Sequence, residues 1–256
     1  MIKRGGPAPM RVMNAWDGLL LVDKPSGPTS HDVVDRIRRH FRLDKVGHGG
    51  TLDPMATGLL VILLGRGTKL SNFIMGSDKV YEGTMRLGAT TDTDDLDGKL
   101  LVESDASGVT RGALEAEMKK WVGDIMQTPP MVSAIKKDGV PLYKLARKGQ
   151  TVEREARLIH IYEFALLDFT LPSVRFRLAC TKGTYVRTVC ADVGRALGCG
   201  AFLEQLRRTR SGSFDVADAL TMPRILEMPL EKLVEHVIPV HKVRTGGPGN
   251  EDHAPA

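Results

Sequence analysis

The chain of 256 residues contains little cysteine, no hydrophobic leader and no long apolar run. Its three cysteines, Cys180, Cys190 and Cys199, lie far apart and form neither a CxxC pair nor a disulfide framework. We therefore expect reduced core thiols. Residues 1–18 lack the apolar segment of a secretory signal, and no run approaches the length of a membrane span. These absences predict a soluble, cytoplasmic protein.

The sequence also lacks the common nucleotide-binding and calcium-binding loops. No GxxxxGK[ST] occurs, residues 65–69 do not supply one, and no GxGxxG opens a helix. The acidic stretch TTDTDDLDG at residues 90–98 is not an EF-hand loop. Leu96 and Asp97 occupy the positions that require an oxygen ligand and a glycine. A generic phosphate-binding hydrolase is accordingly disfavoured.

The composition is that of an ordinary globular protein, with 42% hydrophobic and 26% charged residues. The length is sufficient for one domain with a large core, including an insertion. A formal net charge of +5 and a pI of about 9.1 give a mild bias toward polyanions.

Residues 46–60, VGHGGTLDPMATGLL, are the most informative stretch. Three glycines surround His48, and Asp53 lies immediately before Pro54. The apolar run that follows, residues 58–65, predicts a fully buried strand. A carboxylate next to such a strand is held in a fixed position, which favours a catalytic role. An aspartate before a proline is also a common turn former or helix cap, and the local pattern leaves both interpretations open.

Cations are concentrated in three places. Thr29 or Ser30 is expected to cap a helix with an apolar face and an arginine-rich face. Segment 125–152 is interpreted as a mobile basic insertion rather than as part of the core. Arg207–Arg210 form a third group of cations. Each group is either a solvated face or a surface for phosphates. The cations of the first two groups are Arg36, Arg38, Arg39, Arg42, Lys136, Lys137, Lys144, Arg147, Lys148 and Arg154.

Residues 181–188 predict a turn from a strand into a helix, with Thr184 as its cap. Tyr185 and Arg187 would then lie in the first helical turn, beside amides that favour an anion. The plainer alternative is a buried tyrosine and a surface arginine. Phe202–Leu206 is expected to form another short helix, and Lys79–Leu87 is expected to form a strand.

Six segments, in this order, resemble the TruB family of tRNA pseudouridine synthases, and they span residues 18 to about 215. They are GLLLVDKPSGPTSHDVV, VGHGGTLDPMATGLL, KVYEGTMRLGATTDTDDLDG, TPPMVSAIKKDGVPLYKLARKG, CTKGTYVRTVCADVGRALG and FLEQLRRTRSGSF. An ordered set of this size is far more specific than any one motif.

The resemblance implies isomerisation of the T-loop uridine, position 55 of tRNA, to pseudouridine, with neither cofactor nor metal. It implies that Asp53 is the nucleophile, that Tyr81 stacks on the flipped base and that Leu206 packs in the pocket. Arg187 would pair with Asp53, and a guanidinium there would keep the carboxylate ionised by lowering its pKa.

Further residues are assigned to substrate binding by the same resemblance. Lys24 and His48 correspond to residues that contact RNA or position the loop, and Tyr185 corresponds to a tyrosine near the flipped base. Segment 125–152, with Lys136 and Arg147, corresponds to a flexible thumb that clamps the T-loop.

The expected fold is α+β, with a central mixed, mostly antiparallel sheet, flanking helices and an RNA-binding cleft. We expect a monomeric catalytic domain at residues 16–241, flexible termini at 1–15 and 242–256, and no C-terminal PUA-like module. A tRNA-binding or refolding module with incidental catalysis is the alternative function.

Overall fold

The computed structural model describes residues 14–133, 136–137, 139–142, 145, 149–150 and 152–243. Its strands are β1 Gly18–Lys24, β2 Val46–His48, β3 Thr57–Leu64, β4 Lys79–Leu87, β5 Ala89–Thr91, β6 Leu100–Glu103, β7 Gly123–Gln127, β8 Lys136–Lys137, β9 Val140–Pro141, β10 Arg157–Thr170, β11 Ser173–Cys180, β12 Ala201–Ser211, β13 Phe214–Asp215, β14 Leu220–Thr221 and β15 Ile238–Pro239.

The α-helices are α1 Ser30–His40, α2 Ser71–Gly76, α3 Arg111–Lys119, α4 Val186–Ala196, α5 Met222–Glu227 and α6 Leu230–Glu235. Short 3-10 helices cover Gly65–Leu70, Val216–Asp218 and Val240–Lys242. No described helix is both long enough and apolar enough to cross a membrane.

Eleven strands form one sheet, whose main path is β14-β1-β3-β12-β4-β11-β10-β7. Strands β2, β13 and β15 pair with β3, β12 and β1. The β1–β14 and β3–β12 pairs are parallel, and the other pairs of this sheet are antiparallel. The predicted α+β fold with a mixed, mostly antiparallel sheet is confirmed.

Strand β3 explains why the sequence there is continuously apolar. Leu60, Ile62 and Leu64 belong to one buried cluster. Their neighbours on the opposite face, including Leu59 and Val61, belong to a second cluster. Since both faces are covered, the side chains cannot alternate between apolar and polar. The predicted fully buried strand is confirmed, and it supports the loop that precedes it.

Helix α1 packs on this sheet through Val33, Val34 and Ile37, which are buried. Thr29 caps it by accepting from the Asp32 amide, and the Asp32 carboxylate in turn accepts from the Thr29 amide. This reciprocal capping box satisfies amides that the helix leaves free. The predicted cap at Thr29 is confirmed.

The expected helix at Phe202–Leu206 is wrong, because these residues lie in β12. The strand pairs with β4 on one side and β3 on the other. A short apolar run carries too little periodicity to separate a strand from a buried helix. The basic insertion also begins later than expected: β7 brings residues 125–127 into the sheet, paired with β10.

Candidate active site

Asp53 lies in the loop between β2 and β3, and the loop is held on both sides of it. On one side, the Ser30 hydroxyl accepts from the Leu52 amide at 2.9 Å and donates to the Leu52 carbonyl at 3.1 Å. On the other side, the Gly27 amide donates to the Pro54 carbonyl at 2.9 Å. The Asp53 side chain is still 40% exposed, so a fixed carboxylate remains accessible.

Lys24 is fully buried at the end of β1, beneath this loop. Its Nζ donates to the carbonyls of Pro25, Pro54 and Ala56 at 3.0, 3.0 and 2.7 Å. Burial lowers the Lys24 pKa to about 8, against the attraction of Asp53. These contacts support the loop-positioning role rather than the RNA-contacting role.

Arg187, in the first turn of α4, is 3% exposed and joins three parts of the chain. Its Nη1 lies 3.4 Å from Asp53 Oδ2 and 2.9 Å from Asp95 Oδ2. Its Nη2 donates to the Val132 carbonyl. The structure thus brings Asp53 and Arg187 together, and the plain alternative of a surface arginine is wrong.

The pKa of Asp53 departs from the expected direction. Burial raises it, Arg187 lowers it, and the nearby charges of Asp95 and Asp97 raise it further. The net pKa therefore lies above the ordinary aspartate value. Arg187 acts as expected, but it limits the rise instead of producing a depressed pKa.

Asp95 is a member of the site that sequence reasoning missed. It is 4% exposed, and it accepts at Oδ1 from the Thr93 hydroxyl at 2.5 Å and from the Asp97 amide at 3.2 Å. Its loop is tied to β12, because the Leu96 amide donates to the Leu203 carbonyl at 2.9 Å. The only sequence signal is the acidic stretch at residues 90–98, and it does not single out Asp95.

The start of α4 is held by a side chain that was also missed. Gln127, 4% exposed at the end of β7, donates to the Tyr185 carbonyl at 3.1 Å and accepts from the Tyr185 amide at 2.8 Å. Thr184 is not the predicted cap, because its hydroxyl donates to the Thr181 carbonyl. Tyr185 itself occupies the capping position, with its ring 5.9 Å from the Arg187 guanidinium carbon.

Tyr81 and Leu206 lie on adjacent strands, β4 and β12, and both are largely buried. Leu206 is paired with Gly83, two residues from Tyr81 and on the same face. Burial raises the Tyr81 pKa, and the Asp53 charge adds to that rise. A cleft of about 510 Å³ opens beside Leu206, with Met55 of the Asp53 loop and Thr57 at the start of β3 in its wall.

His48 ends β2 and accepts at Nδ1 from the Gly50 amide at 3.4 Å. Burial and the charge of Arg208 lower its pKa, so the ring is neutral at pH 7. The backbone of His48 pairs with Ile62 of β3, so His48 lies at the start of the loop that carries Asp53.

The predicted RNA-binding cations fall into different environments. On α1, Arg38 and Arg39 pair with Asp35. Arg36 of the same helix and Arg42, two residues beyond its last residue, are exposed and take part in no ion pair among the described residues. Lys136 lies in the β8–β9 hairpin, and Arg147 lies outside the described residues.

The third group of cations is also divided. Arg207 makes two bonds to Asp23, at 2.9 and 2.8 Å. Arg208 is buried, so it is not a phosphate contact of the kind predicted. Arg210 is exposed and lies 4.0 Å from Asp215.

The fold has well-defined counterparts among solved structures. A chain of a Cbf5-Nop10-Gar1 complex matches with a TM-score of 0.71 and 30% identity, covering 89% of this chain and 61% of that chain. A chain of an H/ACA RNP bound to a substrate RNA containing 2'-deoxyuridine matches with a TM-score of 0.67 and 26% identity, with the same coverage. This chain thus spans about three fifths of each. The fold, which brings the Asp53 carboxylate within 3.4 Å of the Arg187 guanidinium, is that of a pseudouridine synthase.

Two family models divide most of the chain between them. The model for the TruB family pseudouridylate synthase N-terminal domain matches residues 38–186, and the model for the tRNA pseudouridylate synthase B C-terminal domain matches residues 187–243. The chain belongs to the TruB family, which confirms the resemblance found in its six segments.

Relatives extend this similarity over nearly the same range. A protein of Opitutus terrae named tRNA pseudouridine synthase B is 53% identical over 226 residues, covering 88% of this chain and 94% of its own. A protein of Syntrophotalea carbinolica with the same name is 50% identical over 224 residues, covering 88% of this chain and 73% of its own.

Proposed function

We propose that this chain isomerises the T-loop uridine of tRNA, position 55, to pseudouridine, with Asp53 as the nucleophile. One observation carries the proposal. Asp53 is accessible, yet its loop is fixed by Ser30, Gly27 and Lys24, and its carboxylate faces Arg187 at 3.4 Å. A fixed and accessible nucleophile beside a buried guanidinium suits a reaction that builds charge at one place.

The reaction breaks the bond between uracil N1 and ribose C1′, turns the base and forms a bond between C5 and C1′. The Asp53 carboxylate can attack the uracil ring or the ribose carbon, and both routes remain open. Each requires ionised Asp53. Arg187 favours that form, against the burial that raises its pKa. After C5 has joined the ribose, its proton must leave to restore the aromatic system of the base.

The target base has to leave the RNA stack to reach Asp53. Tyr81 supplies an aromatic face, Leu206 an apolar wall, and Tyr185 a second ring close to Arg187. Stacking on an aromatic side chain and packing against an apolar wall compensate for lost base stacking. These three residues therefore support the assigned role of a pocket for the flipped uracil.

The RNA is held by exposed cations that contact phosphates without reading sequence. Arg36 of α1 and Arg42, just beyond the end of that helix, are suited to this because no carboxylate among the described residues pairs with them. We assign Lys136 and Arg147 the same task, as members of a clamp on the T-loop. The catalytic unit proposed for residues 16–241 acts as a monomer. Three buried free thiols support a cytoplasmic location.

The test is single-turnover conversion of an unmodified tRNA transcript at saturating protein, with the product mapped by position. We expect pseudouridine at position 55 alone, and no product from a transcript with cytidine there. Asp53→Asn keeps the shape but removes the charge, so it should lose several powers of ten in rate while retaining tRNA binding.

Glu163→Gln, at a partly exposed position on β10 whose partner is Arg177, serves as the control and should behave as the unaltered chain does. Product at another uridine would contradict the T-loop assignment. Appreciable turnover by Asp53→Asn would show that a different group is the nucleophile.

A further inference from the structure

Arg208 is the largest fully buried side chain among the described residues, with 2% of its surface exposed. It lies on β12, two residues after Leu206. Its neighbours Arg207 and Arg210 pair with Asp23 and Asp215, but no ion pair among the described residues includes Arg208. Burying an unpaired cation is unfavourable for stability, so stability alone does not account for an arginine here.

The guanidinium N–H groups of Arg208 donate to backbone carbonyls of β3 and of the loop that carries Asp53. Nε donates to Leu59 O of β3 at 2.7 Å. Nη2 donates to Gly50 O at 3.1 Å, and Nη1 lies 3.4 Å from Thr51 O. Gly50 and Thr51 come shortly before Asp53 in the chain. One planar group therefore connects the support strand with the segment that leads to Asp53.

The same guanidinium lies next to the proposed base platform. Arg208 and Tyr81 are direct cross-strand partners in the β12–β4 pair, so their side chains lie on the same face of the sheet. Burial raises the pKa of the Tyr81 hydroxyl, and the positive charge of Arg208 lowers it against that rise. Arg208 therefore acts on Tyr81 as well as on the Asp53 loop.

We propose that Arg208 is a positioning residue for the isomerisation: its buried guanidinium sets the Asp53 loop and the Tyr81 hydroxyl relative to one another. The inference rests on the proposed function, whose two central side chains it connects. The essential feature is the rigid, planar arrangement of the guanidinium N–H groups. A lysine would keep the charge but present its donors from a single atom, and it could not reach the carbonyls of Leu59, Gly50 and Thr51 together.

The test compares Arg208→Lys with Arg177→Lys, a control on β11 whose arginine is partly exposed and bonded to Glu163. Single-turnover rates are measured at saturating protein, and tRNA affinity is measured separately. A small misplacement of reacting groups can lower a rate about 100-fold. We expect Arg208→Lys to lose about 10- to 100-fold in rate with its affinity within about twofold of the unaltered chain. Arg177→Lys should change neither.

A double-mutant cycle with Tyr81→Phe gives a readout that a purely structural role would not move. If Arg208 acts partly through the Tyr81 hydroxyl, the double variant should lose less rate than the product of the two single losses. Rates are compared at a temperature where each protein is folded by circular dichroism. Arg208→Gln, which keeps a planar donor, replaces the lysine variant if the latter does not fold.

Several outcomes would overturn the inference. These are an unchanged rate in folded Arg208→Lys, a loss explained by tRNA affinity alone, and full additivity with Tyr81→Phe. Failure of both Arg208 variants to fold would assign the residue to the fold instead. The unaltered chain is assayed in parallel. If the unaltered chain forms no pseudouridine, both the proposed function and this inference fail. If the unaltered chain is active, a loss of rate in the Arg208 variants reports on the role of Arg208 alone.

Discussion

The buried arginines of the site and the exposed arginines at helix α1 have the same chemistry but opposite environments. Arg187 and Arg208 are almost fully buried, and their donors are directed at named carboxylates and carbonyls. Arg36 and Arg42 are exposed and unpaired within the described part of the chain. A buried guanidinium is fixed in place and acts on a small set of defined neighbours, whereas an exposed one is screened by solvent and mobile. We therefore assign the buried arginines to the chemical step and the exposed arginines to RNA binding.

Removing Arg187 should produce the largest effect of the three substitutions that test this comparison. Arg187→Ala leaves Asp53 without its guanidinium, and we expect a loss on the order of 10²–10³ in single-turnover rate. Arg195→Ala, on an exposed position of the same helix, is the control and should retain the rate. The companion variant Arg187→Ala/Asp95→Asn avoids leaving Asp95 buried and unpaired.

The same variant should change the pH dependence of the rate. Ionised Asp53 is the reactive form, so the rate is lost as the pH falls through its pKa. Because Arg187 lowers that pKa, its removal should shift the decline to higher pH. Combined with Asp53→Asn, the loss should be far less than additive. An unshifted pH profile, or additive losses, would show that Arg187 does not act through Asp53.

Tyr81 lies beside the buried arginines and should show a smaller effect. Tyr81→Leu removes the aromatic face, at about 1–3 kcal/mol of base stacking, whereas Tyr81→Phe keeps it. If Tyr81 is a stacking platform alone, the phenylalanine variant should retain most of the single-turnover rate. Equal losses in both variants would instead assign the hydroxyl a role in proton transfer.

The exposed arginines should show the smallest effect, on affinity alone. Arg36→Gln/Arg42→Gln should lower the slope of log affinity against log salt by about 0.7–0.9 for each phosphate contact removed, with the rate at saturation unchanged. Arg111→Gln/Lys119→Gln makes the same charge change on helix α3 and should leave the slope as it was. Filter binding over a salt series measures both. Equal slopes for the two double variants would contradict a binding role for α1.

Local sequence patterns determined much of this protein. The buried strand β3, a helix cap at Thr29 or Ser30 and the position of Asp53 before that strand were all predicted from neighbouring residues. The six ordered segments identified the family. These features depend on residues close in the chain, where periodicity, caps and motif spacing have direct physical causes.

Only the tertiary structure decided which distant residues complete the site. Arg187 meets Asp95 across 92 residues, Gln127 holds Tyr185 across 58, and Arg208 reaches Thr51 across 157. A buried charge and an exposed charge look alike in a sequence, because burial depends on which strands become neighbours. For the same reason the strand at 202–206 was mistaken for a helix: its environment is made by β3 and β4, which are remote in the chain.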